Sequence, residues 1–127
     1  MQDKVTFEYA IIRLVPKVER EEFFNVGVIL FSKRKKFLGI KYKINEDKLK
    51  ALAPELELDF LNDYLNAWKL ICEGNAAGGK IGKFEISDRF RWLAACRSTI
   101  IQSSKTHPGL CENPEGELKD IFEKYVL

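Results

Sequence analysis

Apolar residues concentrate in three segments of the first 44 residues, and their alternation with polar residues predicts three β-strands. The segments cover residues 5–15, 22–32 and 36–44, with polar stretches at 16–21 and 33–35 between them. Connections this short join neighbouring antiparallel strands. The N-terminal third is therefore predicted to be a three-stranded meander.

The alternation suggests a register in which Val15 lies opposite Glu22 and Ser32 lies opposite Lys36. A slip of one residue would exchange the two faces of a strand, so agreement across three strands favours this register. It predicts one apolar core face formed by Phe7, Tyr9, Ile11, Phe24, Val26, Val28, Leu30, Leu38, Ile40, Tyr42 and Ile44.

Polar or small residues interrupt these apolar strands at Arg13, Asn25 and Gly27. The register places Arg13 on the core face, diagonally near Glu22, and places Asn25 and Gly27 on the opposite face. Burial of an unpaired guanidinium is costly, so either Glu22 or another acid pairs with Arg13, or the strand end opens into an anion-binding pocket. Of these, the structural ion pair is preferred.

The remaining chain alternates helical patterns with short β-branched stretches. Helices are predicted at 46–53 after the N-cap Asn45, from Leu58 to the terminating Gly74, at 88–97, and after the Asn113–Pro114 pair. Short strands are predicted at 84–86 and 99–102, and a glycine-rich loop at 75–83.

These elements predict an α+β fold. With 127 residues and 46% hydrophobic content, the chain fits one domain, residues 1–127. The meander and one or two later strands form an antiparallel sheet, and three to four helices pack largely on one face. The predicted core is built around Tyr9, Val28, Ile40, Leu61, Trp68, Trp92 and Phe122.

Composition excludes several classes of function. A net charge of +2 is too small to attract nucleic acid or an anionic membrane by bulk electrostatics. The run 5–15 is broken by Glu8 and Arg13, which is not typical of a signal peptide or of the ~20 apolar residues of a membrane span. We expect a cytoplasmic protein that does not contact a membrane.

Metal and cofactor motifs are weak. Cys72, Cys96 and Cys111 lack CxxC spacing and form no close ligand pair with His107, so we expect buried thiols and no metal site. Residues 74–80, GNAAGGK, have the spacing of a phosphate-binding loop. They follow a helix and precede Ile81 in place of Ser or Thr, so we expect a mobile connector and no cofactor.

Two further groups could bind a ligand. Arg89, Arg91 and Arg97 lie near Trp92, with His107 shortly after, and could form a basic cluster. No nucleophile or carboxylate stands at motif spacing from this histidine. On the sheet, Phe31, Phe37, Lys41 and Lys43 would line a face floored by glycine, typical of single-stranded nucleic-acid platforms. The alternative is that a helix covers this face while the lysines stay in solvent.

Four segments together resemble the bacterial family known as domain of unknown function 3037. They are YAIIRLVPKVEREEFFNVGVILF (9–31), RFRWLAACRSTII (89–101), THPGL (106–110) and NPEGELKDIF (113–122), and the similarity covers nearly the whole chain. The resemblance implies a small intracellular bacterial protein with no established activity, and an association with kinases resembling the HipA toxin suggests a protein partner or regulator. The positions that it singles out are Arg13, Pro16, Arg20, Glu22, Asn25, Gly27, Arg91, Leu93, Arg97, His107, Pro108 and Pro114.

The leading hypothesis is a non-catalytic binding or regulatory module for an anionic group or an acidic protein partner. Its expected binding residues are Arg13, Arg20, Asn25, Arg91, Arg97 and His107. One alternative is nucleic-acid binding on the face of Phe31, Phe37, Lys41 and Lys43. A second is a hydrolytic or phosphoryl-transfer enzyme, which would require His107 beside the arginines in one pocket.

Overall fold

One antiparallel sheet lies at the centre of the fold. The computed structural model describes residues 3–17, 22–95 and 99–127, and five strands are present in these ranges. They are β1 (Val5–Leu14), β2 (Phe24–Ser32), β3 (Phe37–Tyr42), β4 (Ile101–Ser103) and β5 (His107–Cys111). The order is β3-β2-β1-β4, and β5 pairs with the same edge of β1 as β4, further toward its start. The predicted antiparallel meander with one or two later strands is confirmed, although of the two later strands only β4 lies where a strand was predicted.

Five α-helices accompany the sheet in the described ranges, slightly more than predicted. They are α1 (Glu46–Leu52), α2 (Leu58–Glu73), α3 (Gly79–Gly82), α4 (Ile86–Ala94) and α5 (Pro114–Tyr125). A 3-10 turn at Ala76–Gly78 precedes α3, so the predicted glycine-rich loop is largely helical. The fold class is α+β, as predicted.

The helix termini follow the capping rules on which the prediction was based. The Asn45 side chain accepts a hydrogen bond from the Lys48 N–H at 3.1 Å, and the Asn113 side chain accepts one from the Glu115 N–H at 3.2 Å. Gly74 ends α2 with a φ of 75°, in the left-handed region that glycine adopts without strain. These caps place α1, α2 and α5 at the predicted positions.

Both faces of the sheet are buried. Helices α1, α2 and α4 cover what we call the α2 face, and α5 covers the opposite α5 face. The α2 face includes Ala10, Ile12, Leu14, Ile29, Phe31, Leu38 and Ile40. The α5 face includes Phe7, Ile11, Val28 and Leu30, packed against Leu118 and Ile121.

The predicted register of the second hairpin is wrong by one residue. Gly27 pairs with Tyr42 rather than with Lys41, and Ser32 pairs with Phe37. The four-residue turn between Ser32 and Phe37 contains Lys36 with a φ of 51°. Because both faces are apolar, hydrophobic alternation could not identify the correct register. All of β3 therefore exchanges faces relative to the prediction.

The first hairpin is shifted by two residues from the predicted register along its regular part, where the faces are unchanged, and by one residue beyond a β-bulge. Ile12 pairs with Gly27, but Arg13 pairs with Asn25, which leaves Val26 as the extra residue of β2. The bulge turns Asn25 to the same face as Arg13, whereas Gly27 stays on the other face with Ile12. The prediction that Arg13 and Asn25 lie on opposite faces is wrong.

The C-terminal half differs from the prediction in three places. Helix α4 starts at Ile86, where a short strand was expected. Strand β5 was not predicted because Pro108 and Gly109 are typical of a turn. Trp92, expected in the core, is 36% exposed, whereas the predicted core residues Leu61 and Trp68 are buried.

Candidate functional site

Arg13 lies at the end of β1 on the α5 face, between Asn25 of β2 and Gln102 of β4. Its guanidinium carbon lies 4.4 Å from the centroid of the Phe23 ring, a cation–π geometry. The Phe23 side chain is 47% exposed. The Arg13 Nε is buried and has no hydrogen-bond partner among the described residues. We call Arg13, Phe23, Asn25 and Gln102 the Arg13 shelf.

Asn25 connects this shelf to the last helix. Its side-chain amide donates a hydrogen bond to the backbone oxygen of Tyr125, at 3.0 Å, at the end of α5. That interaction satisfies one of the carbonyls that a helix C-terminus leaves unpaired. Asn25 therefore has a structural role. Arg13, which pairs with it, is the charged residue of the shelf.

Whether Arg13 pairs with Glu22 stays a prediction. Glu22 is exposed and immediately precedes the shelf residue Phe23. Arg20 and Arg97, two other predicted binding residues, lie outside the described residues, as does Cys96.

Arg91 lies on the opposite side of the sheet from Arg13. Its guanidinium forms a two-pronged ion pair with Glu8, with nitrogen–oxygen distances of 2.9 and 3.4 Å. The pair borders a recess of about 310 Å³ between α4 and the edge strand β5, lined also by Lys33 and Pro108. Because Glu8 pairs with Arg91 and points to the α2 face, Arg91 does not contribute to the Arg13 shelf.

His107 lies on the α5 face beside the middle of β1, away from Arg13. It pairs with Tyr9, and the two ring centroids are 5.3 Å apart. Tyr9 and Arg13 are four residues apart along one strand, about 13 Å. Arg13, Arg91 and His107 therefore do not share one cleft, which is the arrangement that the enzyme alternative would require.

Burial and charge define the environment of Tyr9. Burial raises the pKa of the Tyr9 phenol above its ordinary value of 10, and the neighbouring Tyr125 and Glu117 raise it further. A phenol with a raised pKa stays protonated at neutral pH and can donate a hydrogen bond.

The predicted nucleic-acid face does not exist as one surface. Phe31 is 4% exposed and stacks on Phe90 of α4, with ring centroids 5.0 Å apart. Phe37 lies on the other face, against α5. A β-carbon on Gly39 would lie 2.9 Å from Leu118 of α5, so the helix covers this position. The physical reason is the register of β3, which separates the two phenylalanines.

Lys41 and Lys43 are both exposed, as the solvated alternative expected. Lys41 lies on β3, whereas Lys43 follows the end of that strand and donates its backbone N–H to the Val26 oxygen at 2.7 Å.

Arg89 has a structural role that the sequence analysis missed. Its Nη1 donates to the Ile71 and Cys72 oxygens at 2.9 and 2.8 Å, and its Nε donates to the Phe84 oxygen at 3.0 Å. It also occupies the space above Gly74, where a β-carbon would lie 2.5 Å from the guanidinium. No sequence motif identifies an arginine whose side chain caps a helix that ends about 15 residues earlier in the chain.

The two described cysteines are buried thiols, as expected. Burial raises the pKa of Cys72 to about 12, although Arg89 opposes this rise. Burial also raises the pKa of Cys111 above its ordinary value. Within residues 3–17, 22–95 and 99–127, no three His, Cys, Asp or Glu side chains lie close enough to hold a metal ion. No helix in these ranges is long and apolar enough to cross a membrane.

Comparison with known proteins gives one match. A family model described as a protein of unknown function, DUF3037, matches residues 9–126, nearly the whole chain. No curated protein and no solved structure matches the chain.

Proposed function

The chain belongs to the DUF3037 family, and from the geometry of its own residues we propose that it is a non-catalytic binding module of the bacterial cytoplasm. The Arg13 shelf holds an acidic group of a protein partner. The proposal is supported by the pairing of Arg13 with Asn25 on the α5 face, whereas Arg91, another residue of the expected set, lies on the opposite face.

The unsatisfied Nε of Arg13 carries the proposal. A buried donor without a partner costs roughly 1–3 kcal/mol, more when it is charged. Arg13 as a whole is only partly buried, so a carboxylate can form with its guanidinium the short, charge-assisted bonds that arginine makes with planar anions. A shift of the side chain that brings the Nε into contact with this carboxylate would also recover the cost of the buried donor. Phe23 holds the guanidinium from one side at 4.4 Å, which limits its motion before the ligand arrives.

Binding is favoured over catalysis because the groups that a reaction would need are apart. His107 stacks on Tyr9, and Arg91 is paired with Glu8 on the other face. A hydrolase or phosphoryl-transfer site needs its base and its anion-stabilising cations around one reacting atom. The described residues do not provide that arrangement around His107.

Fluorescence anisotropy with a labelled ten-residue polyglutamate peptide tests the proposal. Arg13→Gln removes one charge and the planar donor, and Lys50→Gln removes one charge from the exposed surface of α1 as a matched control. Loss of a charge-assisted bond of about 1.4 kcal/mol corresponds to a Kd about tenfold higher. Lys50→Gln should change the Kd less than about twofold, as expected for a screened surface charge.

Equal weakening by the two variants would contradict the proposal, since it would show binding by net charge alone. Arg13→Lys gives a second discrimination. A lysine keeps the charge but lacks the planar fork, so its affinity should fall between those of the wild type and Arg13→Gln.

A further inference from the structure

A small recess lies beside the second half of α5, separate from the Arg13 shelf. Its volume is about 190 Å³, and it opens between β1 and α5. Phe7 and Tyr9 of β1 form one side, and Glu117, Asp120 and Tyr125 of α5 form the other. Its lining therefore combines three aromatic rings with two carboxylates.

The aromatic part of the recess is ordered by its own contacts. The Phe7 and Tyr9 ring centroids are 6.1 Å apart, with their planes inclined by 29°. The Tyr125 side chain lies close enough to Tyr9 to raise the pKa of its phenol. Phe7 is buried, whereas Tyr125 is 43% exposed, so the recess has an apolar base and an open aromatic rim. The faces of aromatic rings attract cations, and such sites commonly take alkylammonium groups.

The charges around the recess select for the same kind of ligand. Glu117 lies close enough to raise the pKa of Tyr9, and Asp120 is exposed one helical turn later. The cation in the lining, Lys124, places its Nζ 5.3 Å from the centroid of the Tyr125 ring. The Lys124 ammonium group thus already contacts one face of the Tyr125 ring.

We propose that this recess binds an alkylammonium group, the side chain of a lysine presented by a protein partner. The ammonium group lies between the Glu117 and Asp120 carboxylates, and its methylene chain contacts the Phe7, Tyr9 and Tyr125 rings. Lys124 competes for the Tyr125 ring from within the molecule. This site is independent of the Arg13 shelf, which has the opposite charge preference.

The test is an NMR titration of the wild-type protein, monitored through its aromatic ¹H–¹³C signals. The probes are N-acetyl-lysine-N-methylamide, its uncharged norleucine counterpart and choline. The lysine probe should shift the Tyr9 and Tyr125 ring signals in a saturable way, and the norleucine probe should not. Tighter binding of choline than of lysine would overturn the assignment to a protein lysine, and equal effects of lysine and norleucine would overturn the ammonium site.

Variants on the exposed surface of α5 provide matched controls. Glu117→Gln should raise the Kd for the lysine probe about threefold, within the range measured for partly exposed ion pairs. Glu123→Gln removes the same charge from an exposed position outside the lining and should leave the Kd unchanged. Lys124→Met removes the internal competitor and should lower the Kd. Equal effects of Glu117→Gln and Glu123→Gln, or a higher Kd in Lys124→Met, would contradict the proposal.

Discussion

Replacement of Arg89 by methionine should destabilise the protein substantially, although Arg89 is only partly buried. The substitution keeps an unbranched side chain of similar length and removes three hydrogen bonds, to the Ile71, Cys72 and Phe84 oxygens. A hydrogen bond to a charged donor contributes about 1.5–3 kcal/mol. Three such bonds set an upper bound, because water can reach part of this region once the guanidinium is gone.

Two observations reduce that bound. The Ile71 oxygen also accepts the Gly74 N–H at 3.1 Å, so it keeps a partner in the variant. The bond to the Phe84 oxygen is exposed and can be replaced by water. We therefore expect a loss of about 2–3 kcal/mol in the free energy of unfolding, mostly from the Cys72 oxygen and the end of α2. For a chain of this size, the corresponding fall in Tm is roughly 10 °C.

Urea denaturation followed by far-UV circular dichroism measures this loss, with Lys83→Met as the control. Lys83 is an exposed cation between α3 and α4, and its removal should change the stability by less than about 0.5 kcal/mol. Arg89→Lys should remain destabilised, because one ammonium group cannot reach three separate carbonyl oxygens as the guanidinium does. If Arg89→Met were no less stable than Lys83→Met, the proposed capping of α2 by this arginine would be refuted.

Three other predictions concern strand packing, pH and a surface ion pair. Gly27→Ala should lower the free energy of unfolding, measured by urea denaturation, by at least about 2 kcal/mol, because the new β-carbon would lie 2.7 Å from the Lys41 backbone oxygen. An unchanged free energy of unfolding would contradict the close approach of β3 to Gly27. Burial raises the pKa of Cys72 from 9 to about 12. Between these two pH values the thiol is ionised in the unfolded chain but not in the folded protein, so the free energy of unfolding is unaffected by Cys72 below pH 9 and falls as the pH rises toward 12. Above pH 9 the free energy of unfolding should therefore fall less steeply with pH in Cys72→Ala than in the wild type, and equal slopes would contradict this prediction. The Glu8–Arg91 pair, with an Arg91 side chain 58% exposed, should show a coupling energy of about 0.5 kcal/mol or less in a double-mutant cycle, and a coupling above about 2 kcal/mol would show that the pair is effectively buried.

The local elements were predictable because their signals are local. Side-chain caps at Asn45 and Asn113 and the glycine at position 74 identify helix ends from a few residues. Strands β1 to β3 are long apolar runs with short connections, so their pairing order also followed from the sequence.

The face assignments were not predictable from alternation, because α5 buries the second face of the sheet. When both faces are apolar, the alternation that normally separates core from solvent loses its information. The bulge at Val26 adds a second difficulty, since one extra residue reverses the side chains that precede it. This explains why Asn25 was assigned to the wrong face.

The site was only partly predictable for a related reason. Arg13 is marked in the sequence as a cation in an apolar strand, but its neighbour Gln102 comes from a strand some 90 residues later. The aromatic recess involves Tyr9 and Tyr125, which each match an ordinary core pattern. Only the packing of α5 on the sheet brings these residues together.

Direct observation of the Arg13 Nε–H group tests the central claim that this guanidinium binds an acidic ligand. In ¹H–¹⁵N NMR spectra, addition of polyglutamate should shift the Arg13 Nε–H signal, and the Gln102 side-chain amide should shift with it. The account would be contradicted if the Arg13 signal stayed unchanged at saturation while backbone amides of the exposed basic turn at 33–36 shifted instead.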